Sequence, residues 1–197
     1  EEPGDLPVIF HSLDFAIFVV LLTAAYWALP RRGQNALLLA GSGAFYGWVH
    51  PWFLALIAAT ILVDYGAARG IAARPARRKA FLWLALASNL GLLGFFKYFD
   101  FFAANVAAVL AAAGVRVPVP ALDLVLPVGI SFYTFQALGY VIDVYARRTP
   151  ARTSLLDVAA FIAFFPNLLA GPIMRASTLL RQIERDRRFS SSAARDA

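Results

Sequence analysis

Leu126-Pro-Val-Gly-Ile-Ser-Phe-Tyr-Thr-Phe-Gln-Ala-Leu-Gly-Tyr-Val-Ile-Asp-Val-Tyr145 is the stretch on which the fold turns. Its length and apolar content suit a helix crossing a bilayer, which needs roughly 20 residues at about 1.5 Å rise each. Yet Pro127, Gly129, Ser131, Tyr133, Thr134 and Gln136 lie inside it. A simple anchor gains nothing from a central glutamine in hydrocarbon. Polar groups at membrane depth face a protein interior or a wet cavity. One such group alone also serves as a hydrogen bond between helices. The whole cluster, beside its backbone breaks, is read as the lining of a substrate tunnel.

Composition supports that setting. Of the 197 residues, 60% are hydrophobic and 15% charged, and the apolar residues come in long blocks. The class expected is an all-α, polytopic transmembrane helical bundle. The chain has no cysteine, which excludes disulfides and thiolate metal sites, and its two histidines, His11 and His50, make a multi-histidine metal site untenable. The net charge of +6 comes almost entirely from arginine. The arginines cluster between apolar blocks, which reads as topology and contact with lipid headgroups rather than nucleic-acid binding.

Working outward, spans are expected at 13–29, 35–49, 52–68, 80–113 and 124–145. Pro30 and Arg31-Arg32 end the first. The second holds Ala40-Gly-Ser-Gly-Ala44, small residues that let a neighbouring helix come close. His50-Pro51 makes a turn, and a loop is expected over 69–79. The 80–113 segment reads as one long or kinked helix interrupted by Lys97 and Asp100, with a pair of short helices as the competing reading. The block 155–174 carries Phe165-Pro-Asn-Leu-Leu-Ala-Gly-Pro172, whose prolines and glycine predict a re-entrant or broken helical element. A basic interfacial helix with a weak apolar face is expected at 179–189.

Charge asymmetry orients the chain. With the N-terminus extracytoplasmic, 16 of the 18 Lys and Arg fall on the cytoplasmic side, leaving Lys97 and Arg116 outside. This holds only if 155–174 re-enters rather than crosses. Asp64, five residues before Arg69, and Asp143, four before Arg147, read as local ion pairs, ahead of a proton relay for the first and a hold on substrate for the second. Asn89 is the most isolated polar group within a span, suited to a kink or a bond across helices. The aromatics between Phe95 and Phe102 suit an interfacial belt. His11 and His50 read as solvated or headgroup-facing. No phosphate-binding glycine loop, nucleophile elbow, paired-carboxylate pattern or metal motif is present.

Several stretches occur in a telling order: Val8-Ile-Phe-His-Ser-Leu-Asp-Phe15 with Tyr26-Trp-Ala-Leu-Pro-Arg-Arg32, Phe45-Tyr-Gly-Trp48, Val63-Asp-Tyr65, Asn89-Leu-Gly-Leu-Leu-Gly-Phe-Phe-Lys-Tyr98, Leu126-Pro-Val-Gly-Ile-Ser-Phe-Tyr-Thr-Phe-Gln136, Ile142-Asp-Val-Tyr145 and Phe164-Phe-Pro-Asn-Leu-Leu-Ala-Gly-Pro-Ile173. Together they resemble the membrane-bound O-acyltransferase family, in the branch of the alginate O-acetylation proteins. The resemblance implies a helical bundle around a tunnel, in the bacterial inner membrane. It implies transfer of an acyl group, acetyl in this branch, from a cytoplasmic-side donor to hydroxyls of an extracytoplasmic polysaccharide. No cofactor is implied; the acyl donor, acetyl-CoA or another acyl carrier, is a co-substrate. A periplasmic acetyltransferase partner is a further implication.

The family's essential histidine lies well downstream of the Ala-Gly-Pro-Ile motif and is expected beyond Ala197, so the chain reads as the first part of an incomplete fold. A histidine of near-neutral pKa suits the chemistry, because a hydroxyl is a poor nucleophile until a base takes its proton. Ser131, Tyr133, Gln136 and Asn167 are the candidate tunnel-lining residues; no catalytic residue is expected within the chain. The competing readings are a non-enzymatic scaffold or acyl-group conduit, and a transporter built on discontinuous helices.

Overall fold

A computed structural model gives the fold and describes residues 13–49, 51–115, 127, 129–170 and 174–187. Everything described is helix, turn or connection. Helix α1 is Leu13–Ala28 and α2 is Arg31–Val49. Pro30 separates them and also starts the second, because its carbonyl accepts from the Gln34 N–H at 2.9 Å. The second span therefore begins four residues before the expected Asn35, and Arg31-Arg32 form a helical turn rather than a loop.

Helix α3, Phe53–Ala73, runs past the expected end at Ala68 and takes in Arg69. What stops it is Pro75, which disfavours helical backbone at the preceding residue; Arg74 sits at φ −131°, ψ 76°. The loop expected over 69–79 shrinks to a single 3₁₀ turn, Pro75–Arg77.

Helix α4, Arg78–Leu93, passes through a π-helical turn at Gly94–Tyr98 into α5, Phe99–Ala112. One interrupted helical run thus covers 78–112, with Lys97 inside the interruption and Asp100 in the first turn of α5. Helix α6, Ile130–Tyr145, starts at Gly129, whose φ of 73° lies in the left-handed region open to glycine. The fifth span is therefore helical from Ile130; most of 124–128 lies outside the described residues, as do His11, His50 and Arg116.

The last third is broken, as expected. Helix α7 is Leu155–Ile162 and α8 is Phe165–Ala170. Ser154 caps α7 by accepting from the Asp157 N–H at 3.2 Å. Pro166 ends it, since the ring clashes with the carbonyl four residues back, here Ile162, and offers no N–H to it. The same proline is tolerated in the first turn of α8. Helix α9, Ala176–Glu184, corrects the interfacial helix in extent and role. Ala176, Leu179, Leu180 and Ile183 recur at helical spacing and are all buried, with α9 packed on α7 and α6. The expected apolar face is strong, and the protein covers it.

The core lies where α3, α4 and α6 pack together and where α7 lies on α2. Ile57, Ile61, Tyr133, Ala137, Val141, Val158 and Phe161 belong to it. Two glycines permit close approach: a Cβ at Gly41 would meet Leu22 at 2.6 Å, and one at Gly70 would meet the Phe81 ring at 2.5 Å. Outside the core, Leu13, Val20, Trp83, Phe101 and Val109 are exposed. Such a surface suits lipid better than water. Among the described residues, Phe53–Ala73 and Pro75–Ala112 are long and apolar enough to cross a bilayer.

The basic clusters meet at one end of the molecule. Arg78 donates to the Tyr145 carbonyl, and Arg152 pairs with Glu184. Arg31 donates to the Glu184 carbonyl at 3.0 Å and lies 4.0 Å from Asp157. Arg152, just before α7, and Glu184, the last residue of α9, are thus neighbours.

Candidate functional site

A continuous helix through residues 155–170 would bond the Phe165 N–H to the Phe161 carbonyl. The break at Ala163-Phe164 separates them, and each finds a side chain from a neighbouring helix. The Phe165 N–H donates to Ser42 Oγ of α2 at 3.3 Å. The Phe161 carbonyl accepts from the Gln136 side-chain amide of α6. A buried backbone group left unpaired costs about as much as a lost hydrogen bond, more so where no water can reach it. Ser42 and Gln136 together hold the break open at little electrostatic cost.

The polar seam continues. Gln136 Oε1 accepts from Asn167 Nδ2 at 3.5 Å, so two of the four candidate lining residues are joined directly. Gln136 is 1% exposed and Asn167 7%. Tyr133 lies one turn before Gln136 on the same side of α6, fully buried. Its hydroxyl, with those of Tyr46 and Thr134, is buried without a hydrogen-bond partner among the described residues. Ser131 stands apart. It lies about 140° around α6 from Gln136, at about 100° per residue, and its hydroxyl accepts from Lys97 Nζ of the π turn at 3.4 Å.

Gln136 also forms part of the wall of a pocket of about 220 Å³, with Phe135, Asp143, Met174 and Arg175; Ser131, Tyr133 and Asn167 do not line it. A larger, mainly apolar groove of about 370 Å³ backs the break from the other side, between Leu22 and Tyr26 of α1, Phe165-Pro166 and Leu179 of α9. At the basic end, Asn35 ties three elements: its amide donates to Asp157 Oδ1 at 2.7 Å and to the Ile183 carbonyl at 3.2 Å, and its oxygen accepts from Arg187.

Two ion pairs read from spacing are corrected. Asp64 turns inward, fully buried, and both its oxygens accept from Asn89 Nδ2 at 2.9 Å, rather than meeting Arg69. Asn89 thus bonds across helices, from α4 to α3, as one of its two expected roles. Asp143 lies 3.5 Å from Arg148 instead of pairing with Arg147. The helix ends at Tyr145 and Arg147 takes a φ of 60°, so a spacing of four no longer means one helical face. Sequence reasoning also passed over Ser42, Tyr46 and Asn35. Ser42 is a polar residue inside an apolar block, which is a signal; Asn35 stands at the polar edge of that block and gave none. Tyr46 gave none, because a tyrosine near a span end reads equally well as belt.

The geometry defines a helical protein with a buried polar seam around a broken helix, in the kind of surface a membrane takes. Comparison with known proteins narrows this. Over 182 residues, 89% of its length, the chain is 40% identical to the probable alginate O-acetylase AlgI of Pseudomonas putida, and it spans 37% of that protein. The corresponding protein of Pseudomonas aeruginosa is 38% identical over 182 residues, and the chain spans 34% of it. A peptidoglycan O-acetyltransferase of Helicobacter pylori is 30% identical over 202 residues, 89% of this chain and 37% of that protein. The chain is homologous to a portion of these O-acetylases, as its motifs anticipated. No family model matches the chain, and no solved structure matches it.

Proposed function

We propose that this chain works as part of a multi-pass membrane O-acyltransferase that moves an acetyl group from a cytoplasmic-side donor to hydroxyls of an extracytoplasmic polysaccharide. The observation that carries this reading is the 40% identity across 89% of the chain with an alginate O-acetylase. In the reaction, the bond from the hydroxyl oxygen to the acyl carbon forms as the donor's bond to that carbon breaks. The hydroxyl proton passes through a base to the leaving atom. The base is proposed to come from outside this stretch, a histidine in keeping with the family resemblance.

The chain's own part is the passage. Tyr133, Gln136 and Asn167 form its inner wall beside the break, and Ser131 lies at its edge near Lys97. Three buried hydroxyls without protein partners support a wet interior at this depth, because unmatched polar groups in hydrocarbon are costly. The contacts of Glu184 and Ile183 with Arg152, Arg31 and Asn35 support a re-entrant path for 155–184. The convergence of the basic clusters supports a single cytoplasmic end for all of them, with the N-terminus outside.

The test is chemical. Deleting the gene should remove O-acetyl groups from the cell's envelope polysaccharide, measured after mild alkaline release, and restoring the gene should return them. Unchanged O-acetyl content in the deletion strain overturns the reading.

A further inference from the structure

The turn between α3 and α4 and the turn after α6 enclose a pocket of about 370 Å³, walled by Ile71, Pro75, Arg78, Tyr145, Arg147 and Thr149 among others. Its wall carries two arginines and no carboxylate. Among the described residues neither arginine makes an ion pair; the nearby Asp143 is taken by Arg148. Arg78 lies with its guanidinium 4.2 Å from the centre of the Tyr145 ring and donates to the Tyr145 carbonyl. Its Nε is buried and has no hydrogen-bond partner among the described residues.

Arg147 is the more telling. Among the described residues it is the one non-glycine with positive φ, at 60°. The end of α6 requires that backbone: the Arg148 N–H reaches the Asp143 carbonyl at 2.8 Å, and the Arg147 N–H reaches the Val144 carbonyl at 3.0 Å. This pair of bonds closes a helix around a left-handed residue, usually glycine. An arginine there costs conformational energy that glycine avoids. Strain kept where a simpler residue fits points to use of the side chain.

We propose that this pocket binds a phosphate group, carried either by a phospholipid headgroup or by a soluble phosphate compound, with the guanidinium groups of Arg147 and Arg78 as its donors. Guanidinium offers paired N–H groups that match phosphate oxygens. An uncompensated pair of arginines in a concave wall concentrates positive potential there. The pocket also lies at the end where the basic clusters gather, the level at which anionic headgroups meet a membrane protein.

Native mass spectrometry of the intact protein in detergent tests this, with short-chain phosphatidylglycerol in one arm, pyrophosphate in a second and short-chain diacylglycerol as the phosphate-free control. Retention of phosphatidylglycerol identifies a lipid source, and retention of pyrophosphate a soluble one. Arg147→Gly should weaken the retained ligand roughly tenfold, the loss of one charge-assisted contact. Arg148→Gln, which removes a neighbouring charge outside the pocket, should stay within about twofold. Glycine suits the turn, so Arg147→Gly should melt no lower than the unaltered protein. Four results each overturn the proposal: no preference for either phosphate compound over diacylglycerol, unaltered binding by Arg147→Gly, equal weakening by both variants, or a lowered melting temperature for Arg147→Gly.

Discussion

The Gln136 side-chain amide donates to the Phe161 carbonyl, the acceptor that the break between α7 and α8 deprives of its helical partner. Its counterpart is the bond from the Phe165 N–H to Ser42 Oγ. Donor and acceptor of one missing helical bond are therefore held by two different helices, α2 and α6. The break is a built feature; Gln136 borders the cavity on one side of it and Phe165 the groove on the other.

Gln136→Leu should then cost stability as well as transfer. It leaves the Phe161 carbonyl buried and unpaired and takes from Asn167 its acceptor, a loss of about 1–3 kcal/mol. Gln136→Met keeps much of the volume but has no hydrogen to donate, and should lose about as much. Thermal unfolding of the purified protein reads both. A methionine variant as stable as the unaltered protein would mean that the amide is not needed as a donor.

Ser42→Ala removes the other half. The Phe165 N–H loses its acceptor, at a cost of about 1–3 kcal/mol. Because both side chains hold one break, the double variant Ser42→Ala with Gln136→Leu should not be additive. Additive losses in the double-mutant cycle would show that the two bonds act independently.

Pro166→Ala tests the cause of the break. Without the ring, Ile162 loses its steric clash and α7 can continue into α8. The Phe165 N–H would return to the Phe161 carbonyl and displace Gln136. The expected result is a protein at least as stable but with transfer activity lost, read by melting temperature and O-acetyl content together. Full activity with a straightened helix would separate the break from function.

Much of this was legible in the sequence, and the misses share a cause. Pro166 announced the break after α7, and the apolar blocks announced the helices; the end of α3 was expected at Ala68, short of the Pro75 that stops it. Asp64 was misread because spacing along a chain offers only neighbours on one element; Asn89, its actual partner, lies on the next helix. Asp143 was misread because its helix ends at Tyr145, and the left-handed Arg147 carries the following charge elsewhere. Helix α9 looked weak because its apolar residues number only four, yet all four face the core. Gln136 stood out from the start, but the carbonyl it serves has no signature in a sequence.

Asn89→Leu measures what the inward turn of Asp64 requires. The Asp64 carboxyl, fully buried, would keep no donor. Leaving a buried carboxyl without its hydrogen-bond donor costs about 1–3 kcal/mol. Asp64→Asn in the Asn89→Leu background should recover most of that by removing the ionisable group. Melting temperatures of the three variants decide it; no recovery would mean that packing at Asn89, rather than the carboxyl, carries the cost.

The wet interior behind the break is the central claim, and thiol accessibility tests it most directly. The sequence has no cysteine, so single introduced thiols report cleanly. In the intact protein in lipid nanodiscs, Ser42→Cys, at a buried position on α2 beside the break, should react with a small water-soluble methanethiosulfonate much faster than Val109→Cys, at an exposed apolar position on α5. Equal rates at the two sites, or reaction at Ser42→Cys only after unfolding, would contradict it.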